Sequence, residues 1–218
     1  VISAEDLTDL IKLEGDYVDH FYLDYNLGKD KKGGVVDKSQ PTVGIGHLVA
    51  MESAARALAM VVRETGRPAS PDDQAAEWKF LKETGNLHNH GAKYFKSLLM
   101  KKFGRVLQLP KLEIERLFAH DVAIAYRDAR DMFPGFDAFP RSVRLAIIDM
   151  SFNLGKPKLG KFVRFGEAVK ARDWGRAAAE CHRNGVQAER NHWTWLQFLK
   201  AAGPDFRWRV SRDLSNVC

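Results

Sequence analysis

Glu14 is an ionisable residue at a position that helical spacing reserves for an apolar one. The chain opens with Ser3-Ala4-Glu5-Asp6, a capping-box-like start, then sets Leu7, Leu10 and Ile11 on one stripe whose next member is Glu14. Gly15 follows, a residue that commonly closes a helix, so the carboxyl group falls at the negative end of the helix dipole. Partial desolvation and that dipole both favour the protonated form. A carboxyl group that keeps its proton near neutral pH is equipped to act as a general acid. The other reading is a slightly rotated helix with Glu14 in solvent. A second carboxyl group, Asp24, comes ten residues later, and the run Pro41-Thr42-Val43-Gly44-Ile45-Gly46-His47 follows after a loop.

The elements that must position these groups change character along the chain. From Tyr17 to Gly46, the segments Phe21-Tyr22-Leu23, Val35-Val36 and Thr42-Val43-Gly44-Ile45 are strand-like, with Gly28 and Gly33-Gly34 between them. They predict a small hairpin or three-stranded sheet. Beyond Leu48 the period is helical throughout: a helix over 51–65 closed by Gly66, and another opened by Ser70-Pro71-Asp72 and stopped by Gly85. A short basic helix is expected over 92–103 before Gly104, then a long one over 111–132 halted before Pro134. The stretch 141–154 is apolar over most of its circumference and should lie at the centre of the core. Helices over 162–170, 174–182 and 187–201 complete the chain, and the best lobe boundary falls within 50–110.

A length of 218 residues allows one substantial core or two lobes sharing a long helix. At 45% apolar and 28% charged, the composition is that of a globular protein rather than a disordered one, and no apolar run reaches the roughly 20 residues that span a bilayer. No membrane anchor is expected. The chain lacks an initiator Met and a leader-like start, which implies a removed leader or a domain cut from something longer, and leaves the export route unread. A net charge of +6 favours an anionic partner: nucleic acid, membrane surface or cell-wall polymer. Cys181 and Cys218 do not form a disulfide framework and read as free thiols, Cys181 buried in a helix interface.

The order Glu14-Gly15, then Tyr22-Leu23-Asp24, then Thr42-Val43-Gly44-Ile45-Gly46-His47-Leu48 resembles the lysozymes of T-even phages and the related endolysins and muramidase toxins of glycoside hydrolase family 24. Leu117-Phe118-Ala119-His120-Asp121-Val122 is similar to the start of that family's long helix, and the stretch from Arg144 to Gly155 to its central helix. Arg190 lies in a stretch that loosely resembles the family's late basic segment. The resemblance covers most of the chain except two insertions. It implies an α+β, lysozyme-like fold: a small N-terminal lobe with a β-hairpin, about 1–108, joined by a long helix to a mostly helical lobe, about 109–218.

The resemblance further implies a muramidase that cleaves the β-1,4 bond between N-acetylmuramic acid and N-acetylglucosamine with inversion. Glu14 would be the general acid, Asp24 the base and Thr42 a holder of the attacking water, with the carboxyl groups roughly 6.5–9.5 Å apart. The segment between Asp24 and Thr42 is longer than the family's tight hairpin, which leaves Asp37 as an alternative base. His47 and Asp121 would form a structural ion pair, since a carboxylate on the stripe of Ile114, Phe118 and Ala125 requires a partner. Gly44 allows close approach of sugar or of a helix; Phe152 and Asn153 would border the cleft, core packing being the other reading of Phe152. The implied partner is bacterial peptidoglycan outside the cytoplasmic membrane, with no nucleic acid, metal or organic cofactor, and the chain is expected to be a monomer.

Two other glycan-cleaving activities, lytic transglycosylase and chitosanase, fit the same fold, and a non-catalytic basic wall-binding module is the rival of another class. The insertion over 50–108 would supply specificity, a surface for an immunity protein, or only bulk. His88-Asn89-His90 lacks the further ligands of a zinc site and reads as a surface loop. Lys31-Lys32 and Lys101-Lys102 read as solvated faces, and Trp193 and Trp195 as core of an amphipathic helix.

Overall fold

A computed structural model describes residues 2–14 and 17–203. Gly15 and Cys218, read above as a helix stop and a free thiol, lie outside the described residues. The first half of the chain forms α1 (Ala4–Glu14), β1 (Val18–Leu23), β2 (Leu27–Lys29), β3 (Val35–Asp37), β4 (Pro41–Gly44), β5 (His47–Leu48), α2 (Glu52–Arg56), β6 (Val61–Val62), α3 (Pro71–Thr84), α4 (Ala92–Phe103) and β7 (Leu107–Gln108). The second forms α5 (Lys111–Met132), a 3-10 turn (Phe136–Ala138), α6 (Arg141–Leu159), α7 (Val163–Lys170), α8 (Trp174–Glu180) and α9 (Ala188–Ala202). The class is α+β. The chain divides into two compact units, residues 14–120 and residues 1–13 with 121–218.

In the unit over 14–120, a three-stranded antiparallel sheet runs in the order β1-β4-β5, and β2 pairs with β3 in a separate hairpin. Helices α3 and α4 pack against β1. Phe21 and Leu23 of β1, Val43 of β4, Leu81 of α3, and Phe95 and Leu99 of α4 are fully buried. Punctuation sets most of the boundaries. Ser70 accepts a hydrogen bond from the Asp73 amide at 3.1 Å with Pro71 in the first turn, and Gly85 and Gly104 terminate α3 and α4 with positive φ.

The helix expected over 51–65 is the exception. Only α2 forms, and the Val61-Val62 pair extends into β6, which pairs with β7 as Val61↔Gln108 and Val62↔Leu107. Two adjacent β-branched residues lose little by leaving the helix, and the ladder supplies backbone partners that a helical period cannot reveal. Helical period therefore does not hold everywhere beyond Leu48.

Glu77 of α3 stands behind β7. It is 0% exposed, its Oε1 accepts from the Leu107 amide at 3.0 Å, and its Oε2 meets no donor. Burial pushes its pKa up to about 7; the Leu107 amide and Arg105 oppose the shift, while Asp73 and Glu64 add to it.

In the other unit, Ser3 and Asp6 form the reciprocal capping box at the start of α1: the Asp6 amide donates to Ser3 Oγ at 3.1 Å and the Ser3 amide to Asp6 Oδ2 at 3.0 Å. The centre of the core is α6, where every residue from Leu145 to Ser151 is buried, and Gly155, with φ of 70°, breaks the helix beyond Leu154. Helix α9 packs on α6 and α8. Between them Asp149 receives Arg183 Nη2 at 2.8 Å, Arg190 Nη2 at 2.7 Å and the Thr194 hydroxyl at 3.1 Å. Cys181 caps α8, buried and free, its thiol donating to the Ala178 carbonyl at 3.2 Å and its pKa pushed by burial to about 11.

Two stability predictions follow from the buried acids. Between the Glu77 reference value of 4.5 and its folded value of about 7, the native state keeps a proton that the unfolded chain has released. Stability is therefore full below that window and falls through it as pH rises, by about 3 kcal/mol. Glu77→Gln is expected to flatten this slope in urea melts at about pH 5 and about pH 8. Asp149→Ala leaves two buried guanidinium groups without their carboxylate and is expected to cost about 3–5 kcal/mol in the same assay.

Candidate active site

The site in the unit over 14–120 is built by strand register. β1 and β4 pair with Tyr22 opposite Thr42 and Leu23 opposite Pro41, and the ladder continues one residue further through the Asp24 amide, which donates to the Gln40 carbonyl at 3.3 Å. Side chains two apart on a strand share a face, and directly opposed residues share it too. Tyr22, Asp24 and Thr42 therefore converge on one face while Leu23 enters the core. Thr42 is fully buried, Tyr22 half-buried and Asp24 open to solvent, so the polar face runs from floor to mouth.

Both hydroxyl groups lie close enough to the Asp24 carboxylate to favour its charged form. The Thr42 hydroxyl donates to the Gln40 carbonyl at 3.1 Å. Asp24 is exposed on its outer side, yet enough protein surrounds the carboxyl group that desolvation raises its pKa above 3.8, with the Thr42 and Tyr22 hydrogen bonds acting against the shift. The Tyr22 phenol is pushed well above 10, first by burial and then by the charges of Asp24 and Glu14, so it remains a donor at every physiological pH. Glu14, the half-buried last residue of α1, is thus near enough for its charge to act on Tyr22. Glu14, Tyr22, Asp24 and Thr42 form one electrostatic group.

The role of Tyr22 is the element that sequence reasoning missed. The signal was its place two residues before Asp24 on a strand, but its partner across the sheet depends on register.

Asp37 is differently employed. Its Oδ1 accepts from the Ser39 amide at 2.8 Å, its Oδ2 accepts from the Asn86 amide, and Lys82 lies nearby; these hydrogen bonds and Lys82 outweigh a desolvation effect, its first influence, and lower its pKa. It fastens the end of β3 to the chain after α3. Gly85 makes this possible, since a Cβ there would stand 2.5 Å from Asp37 Oδ2.

Gly44 and Gly46 have φ of 68° and 70° in the turn between Val43 and His47, which are paired across β4 and β5. The Gly44 backbone approaches a helix closely: a Cβ would stand 3.1 Å from Ile114 Cγ2 of α5. His47 is half-buried in β5. Asp121 is half-buried on α5 between the buried Phe118 and Ala125 and belongs to the other unit. Phe152, half-buried, and Asn153, exposed, also belong to that unit, on α6 just before Gly155.

Among the described residues, no group of three or more His, Cys, Asp or Glu side chains is arranged to hold a metal ion, and no helix is long and apolar enough to cross a membrane. No family model matches the chain, and no curated protein matches it significantly.

The hydroxyl groups restrain an Asp24 pKa that desolvation raises. Removing a bond that favours the charged form raises a carboxyl pKa, so Tyr22→Phe and Thr42→Val are each expected to move it further above 3.8. Carbon-13 NMR titration of the Asp24 carboxyl group measures this directly.

Proposed function

We propose that this chain is a peptidoglycan hydrolase, a muramidase with a lysozyme-like fold, that cleaves the β-1,4 bond between N-acetylmuramic acid and N-acetylglucosamine by inverting acid/base hydrolysis. The observation that carries the reading is the convergence of Glu14 and Asp24 on Tyr22, with two hydroxyl groups holding the charged form of a desolvated carboxylate. A glycosidase needs one carboxyl group that gives a proton to the leaving oxygen and one that activates water.

Glu14 is assigned the first role. At the last position of α1 it faces the negative end of the helix dipole, which favours the protonated acid. Asp24 is assigned the second. Desolvation makes it a stronger base than an ordinary aspartate, and its open side admits water. Thr42, buried beneath, and Tyr22 favour the ionised carboxylate, whose open side is where that water would sit. Asp24 is preferred to Asp37 because the Asp37 oxygens are spent on the backbone amides of Ser39 and Asn86.

The surroundings of Asp24 favour hydrolysis over lytic transglycosylation, which needs the acid without a water-activating partner. With a net charge of +6, the chain suits an anionic polymer such as the bacterial cell wall. Glu14→Gln is expected to slow clearing of purified cell wall at least a hundredfold while binding persists. Clearing at the parent rate would overturn the enzyme reading in favour of a binding module. Product analysis by mass spectrometry is expected to find reducing ends without anhydro sugar.

A further inference from the structure

The loop between α3 and α4 is ordered by polar bonds to β1 and β3, made chiefly by the buried Asn86. Asn86 Nδ2 donates to the Leu23 carbonyl at 3.0 Å and to the His90 carbonyl at 3.2 Å, and its Oδ1 accepts from the His90 amide at 2.7 Å. Its own amide donates to Asp37. At the far end of the loop, the Nε2 of the buried His20 donates to the Ala92 carbonyl at 2.9 Å. Asn89 sits in the left-handed region with φ of 55°, a cost that the anchors on either side sustain.

These bonds support a row of rings, exposed at His88 and Tyr94 and half-buried at His90. His90 stacks on Tyr94, with ring centroids 3.9 Å apart and planes 18° from parallel, and His88 meets His90 edge-on at 5.9 Å. Tyr94 in turn rests against the buried Phe95 at 5.3 Å. Yet Tyr94 remains 41% exposed and the neighbouring Leu87 55% exposed. One amide group, Asn86 Nδ2, bonds both the residue before Asp24 and the backbone of His90, so the row begins two hydrogen bonds from the candidate base.

We propose that His88, His90 and Tyr94 form a sugar-stacking platform that extends the site along the outer edge of β1 and binds further N-acetylated pyranose units of the glycan strand. The proposal rests on the hydrolase reading for the identity of the polymer. Pyranose rings present apolar C–H faces rimmed by hydroxyl groups, which matches flat rings carrying polar atoms at their edges. Helix α4, which presents Tyr94, contains Lys93, Lys96, Lys101 and Lys102 and no acid, a charge that suits the carboxylates of a wall polymer.

The test measures dissociation constants for short and long N-acetylglucosamine oligomers by calorimetry, with the full chain carrying Glu14→Gln so that no turnover intervenes. Adding Tyr94→Ala is expected to weaken the long oligomer about three- to tenfold more than the short one, the range for losing one ring stack. Tyr94→Phe, which keeps the ring, is expected to restore the difference. Equal weakening of short and long oligomers, or none, overturns the platform; so does a change in sedimentation mass with unaltered sugar binding, which would make the rings a contact between copies. The two readings fail separately. Binding of long oligomers through Tyr94 by a parent that does not cleave cell wall removes the hydrolase and leaves the platform. Cleavage by the parent with unaltered discrimination in Tyr94→Ala does the reverse.

Discussion

The pairing of Tyr22 with Thr42 is the constraint on which the candidate site depends. Side-chain direction on a strand alternates, so a slip of one residue between β1 and β4 would send Thr42 to the opposite face and leave Asp24 desolvated with one hydroxyl fewer. Register is protected by the buried Phe21 and Leu23 on one strand and Val43 on the other, and by the Gly44-Ile45-Gly46 turn, whose two positive-φ residues fix where β4 ends and β5 begins. The core therefore sets the geometry of a polar group that begins at the buried Thr42 and ends at the exposed Asp24.

Three carboxyl groups show three ways of being withdrawn from water. Asp149 meets two guanidinium groups and a hydroxyl and is held as a buried ion. Glu77 has one backbone donor and one bare oxygen, and it answers by keeping its proton up to about pH 7. Asp24 lies between these cases: two neutral hydroxyl groups hold its charged form without neutralising it, and one side is open. Such a carboxylate gains basicity from desolvation while its lone pairs stay accessible, a combination that neither a full ion pair nor full burial permits.

Much of the fold was legible where side chains punctuate the backbone. Ser70-Pro71, Gly85, Gly104 and the approach to Pro134 mark the ends of α3, α4 and α5 because capping is a local interaction. The stretch before Gly66 misled because β6 owes its conformation to β7, more than forty residues later, and a hydrophobic period carries no record of a distant partner. The same distinction divides the site. Glu14, Asp24 and Thr42 can be picked out by residue type and order, whereas the hold of Tyr22 on Asp24 depends on a cross-strand register, and the link of Arg183 and Arg190 to Asp149 on the packing of helices.

The outer edge of β1 shows how a structural need can be met while polar rings stay at the surface. An unpaired strand edge exposes backbone groups that another chain could bind, and it has to be covered. Here the Leu23 carbonyl is met by the Asn86 side chain, and the Asp19 carbonyl by the Leu109 amide at 2.7 Å. An apolar cover would have hidden its own rings. A cover fixed by amide hydrogen bonds leaves them outward, in a loop whose position is tied to the strand that carries Asp24. Movement of that strand end is therefore passed to the rings through the Asn86 side chain, so Asp24 and the rings share one frame.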